Sequence, residues 1–308
     1  MMLHLPPVHP AILSLPDDRP LAAQLGTHVG CPVMPVASHV FPDGETSFRS
    51  SGPRLTEDAV IVASLRSPDR TTPLLLLSEA ARQWGAKRVG LVAPYLPYMR
   101  QDIAFHEGEA ITARSFARIL SRSFDWMATV DPHLHRIKRL SEIFSIPTRA
   151  LHAAALVGQW IARNVERPLV VGPDDESHQW AEDVATAASA PCVVLDKTRR
   201  GDRDVSIHVP PSVDAFREYT PVLIDDIVST GTTMAATASR LLARGFAAPV
   251  CVAVHAVFAP GALDALEQAG ARCVVSTNTI PHFTNHIDII PLLASAVSRH
   301  SRRLAALG

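Results

Sequence analysis

Short apolar runs rich in β-branched residues recur along this chain, each followed by a longer stretch with helical periodicity, and the rhythm occurs twice. AVIVASL (59–65), RVGLVAPY (88–95) and MATVDPH (127–133) alternate with helical patterns near 72–84 and 112–122. After about Pro147 the rhythm restarts with PLVVGPDD (168–175), CVVLDK (192–197), PVLIDD (221–226), VCVAVHAVF (250–258) and RCVVSTNT (272–279). Runs with no polar alternation are covered on both faces, which is the condition of strands in a parallel sheet flanked by helices. The pattern predicts an α/β protein of two halves, residues 1–149 and 150–291, with a C-terminal helix over 292–308 packing back on the first. At 308 residues each half is long enough to bury its own core. Acidic residues recur at the carboxyl ends of the runs, at Asp131, Asp174, Asp196 and Asp225, and ligands of open α/β sheets bind outside those ends.

Composition narrows the partners. A formal net charge of −1 argues against a general nucleic-acid or membrane surface, either of which needs a basic excess. Cys31, Cys192, Cys251 and Cys273 are far apart and mostly within apolar runs, so they read as reduced core residues without metal spacing. The N-terminal stretch MMLHLPPVHPAIL has neither a basic leader nor a long apolar core, and a cytoplasmic location is expected.

The most informative stretch is PVLIDDIVSTGTTM (221–234). A buried strand gives way to two carboxylates, then to hydroxyls and one glycine, and a helical pattern starts at Met234. A strand, a tight turn and a helix N-terminus make an anion site, because unpaired N–H groups and the helix dipole converge on the turn. Carboxylates repel an anion, so Asp225 and Asp226 suit sugar hydroxyls or a metal accompanying a phosphate. A phosphorylated sugar satisfies both parts. The alternative is an ordinary N-cap in a solvated acidic turn.

Four further segments stand out. HVFPDGETSFR (39–49) sets Asp43, Gly44 and Glu45 in a turn between extended pieces, which alone is a hairpin. APYLPYMRQDIAF (93–105) ends a strand with Arg100, Gln101 and Asp102. TVDPHLHR (129–136) puts His133 beyond a strand, and GPDDESHQW (172–180) does the same for Asp174 and Asp175. Each has a plain reading: His133 and His135 as exposed histidines or a surface metal pair, Lys197, Arg199 and Arg200 as a solvated loop, Tyr95 and Tyr98 as packing.

Taken in order with DDIVSTGTTM, these segments resemble the ribose-phosphate diphosphokinases, also called phosphoribosyl pyrophosphate synthetases, over about residues 39–290. The resemblance implies two duplicated phosphoribosyltransferase-type domains, each a mainly parallel sheet flanked by helices. It implies transfer of the diphosphoryl group of ATP to the C1 hydroxyl of ribose 5-phosphate, with Mg2+ as cofactor, in a homo-oligomer, dimer or hexamer. It assigns Phe41, Asp43, Glu45, Arg100, Gln101 and Asp102 to ATP, the FPDGE turn being often supplied by a neighbouring subunit. It assigns Asp225, Asp226, Ser229, Thr230, Gly231, Thr232 and Thr233 to ribose 5-phosphate, His133 and Asp174 to the metal, and Lys197 and Arg199 to catalysis.

The chain departs from the family pattern at Ile103, where a second arginine is common, and at Asp175, Glu176 and Ser177, where glycines follow the metal aspartate. Ser229 stands where many members have aspartate, and HLHRIKRLSEIF (133–144) replaces the usual sequence after the histidine. These features imply a divergent branch. A regulatory paralogue or a phosphoribosyltransferase are the alternative activities; the retained Lys197, Arg199, His133 and Asp174 argue against the first, and the duplicated architecture, the RQD segment and the DKTRR loop against the second.

Overall fold

The computed structural model describes residues 10–55, 58–104, 106–172, 178–199 and 205–305, with 196–199, 205–208 and 301–305 described by their backbone. The chain divides into two compact units, one of Met1–Leu151 with Ile290–Gly308 and the other of His152–Ile289.

In the first unit, strand β1 (Ala11–Ser14) leads through a 3-10 turn at Pro16–Asp18 into helix α1 (Arg19–Val29). An antiparallel hairpin follows, β2 (Val36–Val40) and β3 (Thr46–Ser50). Then come β4 (Asp58–Val62), helix α2 (Thr71–Gln83), β5 (Arg88–Ala93), α3 (Thr112–Ser123), β6 (Trp126–Val130) and β7 (Thr148–Leu151). The second unit opens with α4 (Ala154–Asn164), β8 (Pro168–Gly172), α5 (His178–Ala188) and β9 (Cys192–Val194). A second antiparallel hairpin, β10 (Asp196–Arg199) and β11 (Val205–His208), precedes β12 (Thr220–Val228), α6 (Thr232–Ala243), β13 (Val250–Ala256) and α7 (Ala262–Gln268). The unit ends with β14 (Cys273–Thr277) and β15 (Asn285–Ile287), after which α8 (Ile290–Ala305) joins the first unit, against α1 and β7.

Both sheets are parallel, in the orders β1-β4-β5-β6-β7 and β15-β14-β13-β12-β8-β9. Their central strands are buried along almost their whole length, β6 and β13 at every position, as the unbroken apolar runs require when helices cover both faces. The two units share one topology. In each, the first strand has the chain's next extended segment on one side and its later strands on the other. For β8 these neighbours are β9 and β12; for β1 they are a parallel bridge from Ile12 to Val33 and then β4. A hairpin then precedes the return strand in both. This duplication creates a switch point at β1/β4 and another at β8/β12, and a switch point is where an open α/β sheet leaves a crevice beyond its carboxyl ends.

All four cysteines are free thiols; Cys251 is buried, where burial pushes the thiol up to about 12, whereas Cys273, at the start of β14, is exposed. Cys273 therefore departs from the expected core placement, because the first residue of its strand lies outside the helical cover. No helix among the described residues is long and apolar enough to cross a membrane.

Candidate active site

In the second unit the acidic pair lies on β12, at the switch point. The strand runs two residues past Asp226, because Ile227 and Val228 are buried and pair with His255 and Ala256 of β13. Asp225 and Asp226 are half-buried interruptions near the end of an apolar strand rather than its last residues. Each carboxylate accepts a hydrogen bond from the next backbone N–H, Asp226 to Asp225 at 2.9 Å and Ile227 to Asp226 at 2.7 Å.

Beyond Val228 the chain turns sharply into α6, which starts at Thr232, earlier than the helical pattern suggests. Gly231 is its N-cap at φ 71°, a conformation a side chain disfavours. A Cβ there would also stand 3.3 Å from the Ala262 carbonyl oxygen and from Leu266 of α7, so both backbone and packing require glycine. No side chain caps α6. Its first-turn N–H groups, which have no acceptor within the helix, open onto a turn where Thr230 and Thr232 are exposed and share a 2.9 Å hydroxyl contact. Ser229 ties the turn down by accepting the Ala259 N–H at 3.0 Å. The result is an uncapped, hydroxyl-lined helix N-terminus directly after two carboxylates.

Lys197 and Arg199 lie on β10, opposite Ile207 and Val205 of β11. Asp174, with Asp175, Glu176 and Ser177, lies outside the described residues. The strand leading to it, β8, is buried to Gly172, and Gly172 accepts the Leu195 N–H at 3.1 Å.

In the first unit the FPDGE segment is the turn of the β2–β3 hairpin. Phe41 and Glu45 close it with a 2.8 Å backbone bond, the Asp43 carboxylate accepts the Glu45 N–H at 3.1 Å, and Gly44 takes φ 90°. Phe41 is 42% exposed and its ring meets His39 edge-on, so a large apolar group sits on a projecting turn with one aromatic neighbour on its own strand.

The ends of β5 and β6 carry the other expected residues. Tyr95 is buried and Tyr98 packs on Phe116 of α3 at 4.8 Å between ring centres, in keeping with packing roles. Tyr98 has φ 67° and Asp131 φ 32°, two non-glycine residues in the left-handed region, one in the segment after β5 and one directly after β6. Such strain persists where the surroundings over-determine it and concentrates at functional sites. Arg100 and Gln101 are exposed; His133 and His135 are half-buried. Asp102 behaves differently. Its side chain is 2% exposed and is taken up by Arg136, whose backbone N–H donates to it at 3.0 Å and whose guanidinium donates at 3.1 Å. Burial works to raise the Asp102 carboxyl's pKa, but these two bonds outweigh it and hold the group below its ordinary value.

Among the described residues no three histidine, cysteine or carboxylate side chains gather into a metal site. His133 alone suits a divalent ion only if phosphate oxygens and water complete the shell, which is the habit of Mg2+.

Three features were not legible in the sequence. Arg136 meets Asp102 across 34 positions. His255, 1% exposed and in register with Ile227, meets the Thr279 hydroxyl through Nδ1 at 2.9 Å. At the β1/β4 switch point, Asp18 and Arg70 form a buried ion pair. Each joins residues from separate elements, so no local pattern announces it.

Comparison with known proteins agrees with the doubled topology. Residues 10–123 match the family model described as the N-terminal domain of ribose phosphate pyrophosphokinase, and residues 139–289 match the phosphoribosyl transferase domain. The ribose-phosphate pyrophosphokinase of Methanopyrus kandleri is 31% identical over 94% of this chain and 99% of its own length. That of Halobacterium salinarum is 33% identical over 93% of this chain and 100% of its own. The crystal structure of phosphoribosylpyrophosphate synthetase from Mycobacterium smegmatis superposes with a TM-score of 0.83 at 26% identity, covering 96% of this chain and 100% of that one. With two units of one topology, matched in order along nearly the whole length of such relatives, this chain belongs to the ribose-phosphate pyrophosphokinase family of enzymes.

Proposed function

We propose that the protein transfers the diphosphoryl group of ATP to the C1 hydroxyl of ribose 5-phosphate, giving 5-phosphoribosyl 1-diphosphate and AMP. The observation that carries this reading is the uncapped N-terminus of α6, begun by Gly231, directly after Asp225 and Asp226 on the switch-point strand. The 5-phosphate takes the N–H groups and hydroxyls of Ser229 to Thr233, and the two carboxylates accept hydrogen bonds from the ribose hydroxyls. In the first unit, the exposed Arg100 and Gln101 face the ATP phosphates, and Phe41 with Asp43 and Glu45 holds the adenine.

The C1 hydroxyl oxygen attacks the β-phosphorus. The bond from that phosphorus to the oxygen bridging the α-phosphate breaks, AMP leaves with the bridging oxygen, and the hydroxyl proton passes to solvent. Negative charge builds on the transferring group, and Lys197 and Arg199 are the cations that meet it. His133 and Asp174 are the residues that would hold a Mg2+ accompanying ATP, and such an ion would supply positive charge to screen the phosphates. An enzyme of nucleotide precursor synthesis acting on such substrates belongs in the cytoplasm.

The test is incubation with ATP, magnesium and ribose 5-phosphate, followed by separation of nucleotides and sugar phosphates. AMP and the 1-diphosphorylated sugar should appear in equal amounts; AMP without ribose 5-phosphate, or neither product, overturns the reading. A homo-oligomer whose neighbouring chain covers Phe41 accounts for that exposed ring. Subunits of Phe41→Ala/Glu45→Ala mixed with subunits of Lys197→Ala should then regain activity, and mixtures proven to exchange subunits without regaining any argue for sites complete within one chain.

A further inference from the structure

The segment after β6 supplies the partner of the buried carboxylate in the RQD segment. Asp102 is too enclosed to serve a ligand arriving from solvent, with 2% of its side chain exposed. Both its oxygens are directed to one residue. Oδ2 accepts the backbone N–H of Arg136 at 3.0 Å, and Oδ1 accepts the guanidinium at 3.1 Å. A bond to the main chain fixes where the loop runs, and the guanidinium bond adds charge to it. Breaking such a contact leaves a buried carboxylate without its donors, which costs more than the contact itself is worth.

The contact joins the segment that carries Arg100, assigned to ATP, to the segment that carries His133, assigned to the metal accompanying it. Arg136 follows His133 by three residues and Asp102 follows Arg100 by two, so each functional residue's Cα stays within roughly 11 Å and 7 Å, respectively, of its end of the contact. The two connecting paths are also stiffened at their roots. Tyr98, five residues past β5, and Asp131, the residue after β6, hold positive φ, and Asp131 is pinned by its N–H to the Leu151 carbonyl at 2.8 Å. The Arg136 side chain remains 45% exposed despite its contact with Asp102, and Arg100 is exposed as well.

We propose that Asp102 and Arg136 form a clamp that holds the histidine loop against the Arg100–Gln101 segment, so that Asp102 is a positioning residue for ATP rather than a contact of it. The inference rests on the assignment of these segments to ATP. Because Arg136 acts through Asp102, removing the carboxylate loses both bonds, whereas truncating the arginine loses only the charged one.

The test is ATP binding by calorimetry without ribose 5-phosphate, with and without magnesium, beside ribose 5-phosphate binding and thermal melting. Asp102→Ala is expected to weaken ATP about 10- to 100-fold and Arg136→Ala about 10-fold, each with ribose 5-phosphate affinity unchanged. The double variant should bind ATP no worse than Asp102→Ala, and Arg136→Lys should recover part of the loss. If Asp102→Ala does not fold, Asp102→Asn, which keeps the shape and one acceptor, takes its place with a smaller loss. ATP affinity within twofold of wild type in the folded single variants overturns the clamp. So do additive losses in the double variant, and so do parallel losses of both ligands with a lowered melting temperature. A wild-type protein that binds ribose 5-phosphate but not ATP overturns both the clamp and the ATP assignment, whereas variants that fail while the wild type binds ATP normally leave that assignment standing.

Discussion

In the first unit the helix after the switch-point strand is entered through a 3-10 turn, Pro68–Arg70, whose last residue is the N-cap of α2, whereas in the second α6 begins directly on Gly231. Arg70 is buried and folds back over the carboxyl ends of β1 and β4. Its guanidinium donates to Asp18, to Asp17 at 2.9 Å and to the Ser64 carbonyl at 2.7 Å, while Asp18 also accepts the Ser64 N–H at 3.3 Å. A cation is unfavourable at a helix N-terminus, and the two carboxylates offset it. The place where an anion would bind is filled by the chain's own ions. In the second unit the equivalent residue has no side chain, the helix is uncapped, and exposed threonines surround it. One topology thus carries a crevice filled by its own ion pairs and one whose helix N-terminus is uncapped, and the difference teaches that the fold supplies the crevice while the residues at its mouth decide what fills it.

The sharpest tests separate function in the second unit from stability in the first. Lys197→Ala and Arg199→Ala should each lower turnover by about 10^3-fold or more, the range for a cation that meets a transferring phosphoryl group, with melting temperature and ribose 5-phosphate affinity nearly unchanged. Near-normal turnover in both would reduce the hairpin to a solvated charge run.

Next in size is Asp18→Ala, which strands Arg70 in a buried site and should cost about 3–5 kcal/mol in denaturant unfolding, at the lower end because Asp17 remains as a partner. Replacing both members with apolar residues, Asp18→Leu/Arg70→Met, should cost far less. If the single variant were as stable as wild type, the plug would be incidental.

Asp225→Ala and Asp226→Ala should weaken ribose 5-phosphate about 10- to 100-fold in calorimetric titration, the loss expected for hydrogen bonds to a charged acceptor, and ATP much less. Equal losses of both ligands would move the pair to the metal.

The smallest effect is a pH slope. Burial, only partly offset by Arg70, raises the Asp18 pKa from 3.8 to about 6. The folded protein therefore binds the proton more tightly than the unfolded chain, and this group's contribution is fully present below about pH 4 and lost as pH rises through 6. Unfolding measured at pH 5 and at pH 7 should show wild type losing of order 1–2 kcal/mol that Asp18→Asn does not lose. A slope of the opposite sign would mean that attraction to Arg70 exceeds the cost of burial.

The sequence by itself determined the α/β class, the doubling and the order of the segments, because these follow from local patterns: unbroken apolar runs make strands covered on both faces, and Gly231 can turn where its neighbours cannot. It also exposed the turn proposed to take the phosphate, whose hydroxyls and glycine are contiguous. What only the tertiary structure decided depends on which elements become neighbours. It extended β12 past Asp226 through pairing with β13, started α6 at Thr232, and gave Asp102 to Arg136 rather than to solvent. It also put Asp18 and Arg70 into one buried pair across 52 positions. Burial, register and ion pairing are properties of contacts between distant residues, and a one-dimensional pattern records the residues without recording which of them will meet.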